Sequence, residues 1–342
     1  AVEALYLMGG FGLSEKWRMI TGVRWETNEM NVQQIFQQDG VEDRFGGFDA
    51  EDLLPALSLV YAINDTQNLR MAYGRTIAKP SYKELSPVEI VDSFTGDRFQ
   101  GNPNLNRTLI DNADLRWEWF IDGREMVAVS AFYKKMEDPI EVIFFGGADS
   151  DGDGVLDPDQ IFARGNIVPQ NVDEATIYGL EFEWRYGLAR LSQRLQNFSV
   201  GGNLSLIESE VSVPLDEQTF FDSESTRQLV GQSPFLFNFD LSYDNDQLGS
   251  YINLSYNYTD ERLSVVNPNN KGLGDVFEKG VGRLGVTYTQ RLNGNLKLKI
   301  SLKNLLDPDF ETYYVVRDGG ELVYERFTRG ITGTISLTYT FE

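Results

Sequence analysis

Residues 331–341 alternate without a break. Ile331, Gly333, Ile335, Leu337, Tyr339 and Phe341 are apolar or small, whereas Thr332, Thr334, Ser336, Thr338 and Thr340 are polar. Successive side chains of a strand point to opposite faces, so one face here meets something greasy and the other something wet but uncharged. The pattern returns along the chain. Tyr178, Leu180, Phe182, Trp184 and Tyr186 alternate with Gly179, Glu181, Glu183 and Arg185; Ile252, Leu254, Tyr256 and Tyr258 alternate with Asn253, Ser255, Asn257 and Thr259. Phe235, Phe237, Phe239, Leu241 and Tyr243 alternate with Asn238, Asp240 and Ser242. Charges on one face and bulky aromatics on the other make a poor core strand and a good lipid-facing one. A barrel strand crosses a bilayer in about 9–11 residues and carries aromatic girdles at both interfaces.

No stretch of the 342 residues approaches the roughly 20 consecutive apolar positions of a spanning helix, while 32 Gly, 16 Tyr and 22 Phe suit twisted strands and aromatic belts. The net charge of -22 argues against a nucleic-acid surface, which needs a basic field along the phosphates. With no Cys and no His, disulfides, thiol chemistry, the imidazole base and the commonest transition-metal ligand are all excluded. A serine–histidine hydrolase is ruled out, and no carboxylate pair stands on rigid neighbouring elements as glycoside hydrolysis requires. Catalysis is not expected. Ala1–Met8 contains Glu3 and lacks the basic lead-in and cleavage pattern of a signal peptide.

Thirteen strands are expected, over residues 1–11, 17–28, 54–63, 68–76, 109–120, 125–135, 174–186, 196–208, 234–244, 248–259, 279–290, 295–303 and 329–341. Their connections alternate strictly between short and long. The long ones cover 29–53, 77–108, 136–173, 209–233, 260–278 and 304–328, so all of them emerge on one rim. Outer-membrane barrels place short turns in the periplasm and long loops outside, and soluble sandwiches have less reason to segregate loop length this way. The fold class is therefore all-β, a transmembrane antiparallel β-barrel. An odd count of thirteen does not close a bacterial single-chain barrel, which makes residues 1–342 the carboxyl-terminal part of a larger one. Residues 187–195 read either as a helical turn or as an irregular one.

Several pieces resemble the barrel of TonB-dependent outer-membrane receptors, particularly Bacteroidetes-like forms with long outer loops. They are Tyr73–Leu85 (YGRTIAKPSYKEL), Gly101–Thr108 (GNPNLNRT) leading into Asn112, Leu115 and Glu118, Leu298–Asp309 (LKISLKNLLDPD) followed by Tyr313, and Gly330–Phe341 (GITGTISLTYTF). Glu342 departs from the pattern by following the closing aromatic Phe341. The resemblance implies a barrel of about 22 strands, with a separate amino-terminal plug blocking the lumen and carrying the segment that meets TonB; neither the plug nor the first strands can be placed in residues 1–342. It further implies gated uptake of a scarce extracellular solute. The alternative is a structural or assembly barrel that works with partner proteins and does not transport. Expected partners are membrane lipid and lipopolysaccharide, a TonB-type energy-coupling complex and a surface lipoprotein. Independently of the family, Asn102, Pro103 and Asn104 stop strand pairing and fix a turn, because Pro lacks a donor and Asn caps its own backbone. Asn304 with Asp307 and Pro308 ends the strand before it.

The sharpest chemical signal is Asp149, Asp151, Asp153, Gly154, Val155, Asp157 and Asp159 within one long loop. Carboxylates alternate, a glycine follows the third, and a backbone carbonyl at Val155 precedes Asp157, which is the order of ligands in the first part of an EF-hand-like loop. Gln160 stands where the bidentate Glu would be, so a truncated Asp-rich Ca²⁺ loop completed by Asp159, Glu174 or water is expected; the competing reading is a solvated acidic turn. The loop aromatics Phe94, Phe99, Phe144, Phe145, Phe220 and Phe221 are candidates to line a ligand vestibule or to pack loop on loop. The solute itself is not chosen by the sequence. Lack of His disfavours direct haem ligation, although Tyr remains available.

Overall fold

The computed structural model describes residues 1–35, 44–91, 93, 98–123, 125–145, 166–212, 226–266, 273–316 and 320–341. Thirteen strands form one antiparallel meander in strict sequence order. They are β1 (Val2–Gly12), β2 (Trp17–Gln34), β3 (Arg44–Asn64), β4 (Gln67–Ala78), β5 (Thr108–Asp122), β6 (Glu125–Glu137) and β7 (Glu174–Gly187). The remainder are β8 (Phe198–Ser212), β9 (Phe235–Asn245), β10 (Ser250–Thr259), β11 (Val281–Arg291), β12 (Leu296–Lys303) and β13 (Thr332–Tyr339). Each expected strand is present. Residues 187–195 resolve into two single helical turns, Leu188–Arg190 and Gln193–Leu195.

Register fixes which side chains share a face. One outward row runs Trp184, Gly202, Phe239, Tyr256 and Leu284 across β7 to β11. Trp184 stacks on Phe182 at 5.4 Å and on Phe237 at 6.3 Å, and Gly202 leaves the room: a Cβ there would lie 2.3 Å from the Trp184 ring. One residue over, the inward row runs Asn68, Glu118, Ala128, Glu183, Asn203, Asn238, Asn257 and Arg283 through β4 to β11. Asn68 lies beside a short turn and Arg283 beside a long loop, so the row climbs from one rim to the other as tilted strands require.

The long connections are not bare loops. Strands Glu89–Val91, Arg98–Gln100, Asn166–Asn171 and Ile140–Phe145 make a first outer sheet from the β4–β5 and β6–β7 connections. Strands Arg262–Val265, Leu273–Glu278, Asp309–Val316 and Glu321–Thr328 make a second from the β10–β11 and β12–β13 connections. The connection expected over 29–53 is corrected too, because β2 and β3 stay paired from Trp17–Tyr61 out to Gln34–Arg44. Above a membrane both faces of a hairpin meet water, and the alternation that betrays a wall strand fades. In Asp309–Val316 a register shift between Thr312 and Tyr313 also breaks the period of two.

A small apolar cluster of Val172, Ala175, Val211 and Leu229, flanked by Met136 and Ile177, closes the outer end of β6 to β8. Ala175 and Val211 share the inward parity of Glu181 and Glu183, so the segment carrying Leu229 folds over the lumen side of the wall.

Candidate functional site

Two motifs of the β4–β5 connection build an anchor at the outer rim. Ser81 caps the helical turn Tyr82–Leu85: its hydroxyl accepts from the Glu84 amide at 3.2 Å, and the Glu84 carboxylate accepts from the Ser81 amide at 2.6 Å. The turn's carbonyl end then receives the second motif, with the Asn102 amide donating to the Glu84 carbonyl at 2.7 Å. Asn102 Oδ1 accepts from the Asn104 amide at 2.9 Å, the self-capping that its place before Pro103 predicts. Leu85 and Leu105 are fully enclosed. A second anchor holds the final strand. Asn304 and Asp307 adopt positive φ, Asn304 Nδ2 donates to the Gly330 carbonyl at 2.9 Å, and the Gly330 amide donates to Asp307 Oδ1 at 2.9 Å.

Below these anchors the inward face of β2 to β7 carries charges of both signs, several of them paired. Arg70 Nε donates to Glu118 Oε2 at 2.6 Å, and Arg116 Nε donates to Glu118 Oε1 at 3.0 Å. Arg116 also donates to Ser130 Oγ at 3.1 Å and to Glu183 Oε2 at 2.8 Å, reaching from β5 across β6 to β7. Its path crosses Ala128, which is fully buried between the two carboxylates in register. Nearer the outer rim Glu26 accepts from Arg24 at 2.6 Å and from Lys79 at 2.7 Å, while Asp52 receives Arg107 bidentately, Oδ2 accepting from Nε at 2.7 Å and Oδ1 from Nη2 at 2.5 Å.

Further round, charge gives way to amides and then to cations. Asn257 donates to Asn238 at 2.6 Å and Asn238 to Asn203 at 2.7 Å, continuing the ladder across β10, β9 and β8. On β11 and β12 the inward set contains Arg283, Arg291, Lys297, Lys299 and Lys303, with Thr287 and Ser301 at 3.2 Å between them. Among the described residues, Arg283 and the three lysines form no ion pair, and Arg291 meets only Asp246 at 3.8 Å.

The second outer sheet carries its own charges. Lys279 Nζ lies 2.8 Å from both Glu311 and Glu321, and those carboxylates hold its pKa above the usual ammonium range. Burial, with a hydrogen bond to Glu261, pushes the Tyr313 phenol upward.

The inward placement of Glu181, Glu183 and Arg185 agrees with the alternation read from the sequence. The network of Arg70, Arg116 and Glu118 has only a partial signal in the sequence: in Asp114–Phe120, Arg116 and Glu118 interleave with Leu115, Trp117 and Trp119. Of the aromatic candidates, Phe99 is half-buried beneath Lys83, whose Nζ sits 4.1 Å from the ring centre. Phe94, Phe220 and Phe221 lie outside the described residues, and Phe144 and Phe145 are described as backbone only. The calcium candidates Asp149, Asp151, Asp153, Val155, Asp157 and Asp159 lie outside them as well. Among the described residues no group of three or more acidic side chains is arranged to hold a metal ion.

Solved structures share this architecture. The ferric enterobactin receptor PfeA from Pseudomonas aeruginosa superposes with a TM-score of 0.62 at 18% identity, over 99% of this chain and 45% of its own. The ferric-catecholate import receptor Fiu from E. coli gives 0.60 at 13% identity, over 99% and 44%. The siderophore receptor PirA from Pseudomonas aeruginosa gives 0.57 at 15% identity, over 100% and 48%. The chain thus spans less than half the length of these receptors, and at such identities they bear on the fold alone. The family model described as "TonB dependent receptor-like, beta-barrel" matches residues 2–305. With that match covering most of a wall whose outward face is apolar and whose inward face is polar, the chain belongs to the TonB-dependent receptor family and forms part of its outer-membrane β-barrel.

Proposed function

We propose that the complete protein binds a scarce solute at its outer rim and admits it through the lumen when a TonB-type complex acts on a plug supplied by another segment. The observation that carries this reading is the pairing of a polar, charged inner wall with two sheets that four of the long connections build at one rim. The network of Arg70, Glu118, Arg116 and Glu183 on that inner face ties neighbouring wall strands together and keeps the lumen surface polar. Amino-terminal strands from another segment or chain complete the barrel between the edges of β1 and β13, since an open edge would leave backbone amides unpaired in lipid. Lipopolysaccharide surrounds the outer half of the apolar belt, and a surface lipoprotein is a candidate cover for the rim. PfeA and Fiu are by name receptors for ferric enterobactin and ferric catecholates, and PirA a siderophore receptor; no residue of this chain selects that class over another.

A cryo-EM map of the intact assembly, isolated from native membranes with its lumen contents retained, tests the reading. A plug beneath the outer sheets with solute above it is expected. An empty lumen, or one filled permanently by an unrelated protein, would overturn it in favour of a channel or an assembly component.

The Asp149–Asp159 segment is proposed as a Ca²⁺ loop of structural purpose, because carboxylates crowded at alternate positions repel one another unless a cation intervenes. The full-length receptor is expected to give a saturable Ca²⁺ signal that an Asp151→Ala/Asp153→Ala variant loses. Equal metal content in parent and variant would sink the assignment.

A further inference from the structure

The two outer sheets are built from different connections, yet one short segment touches both. Residues 226–233 descend toward β9 after Thr226 and Arg227 pair with Ser212 and Val211 at the end of β8. On one side the Arg227 guanidinium forms an ion pair with Glu141, a strand residue of the first sheet, and the Val230 amide donates to Glu141 Oε1 at 3.1 Å. On the other side the Gly231 amide donates to the Leu263 carbonyl of the second sheet at 2.7 Å, and Arg262 Nη1 donates back to the Gly231 carbonyl at 3.4 Å. Among the described residues the two sheets also meet directly, through a parallel bridge of Ile143 to Val266.

Glu141 is the unusual member of this junction. Its side chain is 1% exposed and that of Arg227 15%, whereas among the described residues the cations of the other outer-sheet ion pairs are at least 35% exposed. An apolar pair of the same volume would join two surfaces at no desolvation cost. An ion pair is different: losing one partner leaves an uncompensated charge that the junction cannot keep enclosed. The segment that supplies Arg227 is itself fastened to the wall, through Leu229 in the apolar cluster and through Ser209 Oγ, which accepts from the Leu229 amide at 3.0 Å and donates to Gln232 at 2.6 Å.

We propose that the Glu141–Arg227 pair is a latch between the two outer sheets: closed, it makes them one body over the lumen, and open, it lets each follow its own wall strands. The latch stands apart from the identity of any solute. Rearrangement at either sheet would reach the other through residues 227–231 while the pair is intact.

The test places one spin label on each sheet of the full-length receptor, at Ile90→Cys and Leu322→Cys. Both positions are exposed, and the chain contains no other cysteine. A second label pair at Leu13→Cys and Leu248→Cys, on exposed short turns of the wall, reports the barrel. Glu141→Gln keeps the volume and the oxygen facing Val230 but removes the charge. It is expected to leave the wall distance unchanged and to give a distribution between the sheets about twice as wide, as two bodies released from each other give. Arg227→Met is expected to do the same, and Glu141→Leu/Arg227→Met, which leaves no orphan charge, to narrow it again. A parent-like distribution in both single variants would overturn the latch. So would broadening of the wall pair alongside the sheet pair, which would make Glu141 a general stability element.

Discussion

Gly101→Ala is expected to release the β4–β5 connection from the rim while the wall beneath stays folded. A Cβ at Gly101 would lie 2.0 Å from the Ser86 carbonyl oxygen, 2.7 Å from that of Lys83 and 2.8 Å from that of Glu84. All three obstacles are backbone, so no side chain can swing aside. The two motifs that meet there would have to part, exposing Leu85 and Leu105, which are 0% and 1% accessible. Forced overpacking of this kind costs about 3 kcal/mol, or about a hundredfold in the population of the opened form. Hydrogen exchange of the full-length receptor should show that increase in residues 79–107 and parent-like protection in β5 to β8. Gly46→Ala attacks the same junction from β3, where a Cβ would meet the Leu85 carbonyl oxygen and Pro103 at 2.7 Å each, and should reproduce the pattern. Parent-like exchange in both variants would show that the motifs do not hold the loop through this contact.

The wall was readable because each strand divides lipid from water, and that division writes itself into every second residue. Ile331 to Phe341 and Tyr178 to Tyr186 declare their faces without any knowledge of neighbours, and β13 and β7 follow them. The outer sheets had no such boundary to record. Met30 to Gln34 pair with Arg44 to Phe48 beyond the lipid boundary, where one side meets the β4–β5 anchor through Gly46 and no lipid face imposes a period of two. Charge networks were legible only as far as one strand extends. The parity of Glu181 and Glu183 places them inward, but that Arg116 crosses Ala128 to reach Glu183 depends on the β5–β6 and β6–β7 registers, which are properties of strand pairs. Glu141 and Arg227 lie further beyond reach, joined by a fold of the chain that no local spacing announces.

Arg116→Leu is the second large effect, and it is expected to destabilise the wall itself. The guanidinium serves two carboxylates and a hydroxyl on three strands: Glu118 on its own, Ser130 on β6 and Glu183 on β7. Its loss leaves Glu118, whose side chain is 10% exposed, with Arg70 as its remaining cation, and strips Glu183 of its ion pair. Removing one partner from a fully buried pair costs about 3–5 kcal/mol; the 27% exposure of Arg116 and 36% exposure of Glu183 reduce this to about 2 kcal/mol. Arg116→Lys should recover less than half, because an ammonium is a point charge and cannot present separate N–H groups to carboxylates on either side of Ala128. The stability of the purified full-length receptor toward guanidinium in detergent reads the effect directly. Leu and Lys variants of equal stability would mean that the forked geometry is irrelevant. A combined Arg116→Leu/Glu183→Leu variant separates the two arms of the network: if the orphaned Glu183 carries much of the cost, the double substitution is more stable than Arg116→Leu alone, and if Glu118 carries it, the two are equal.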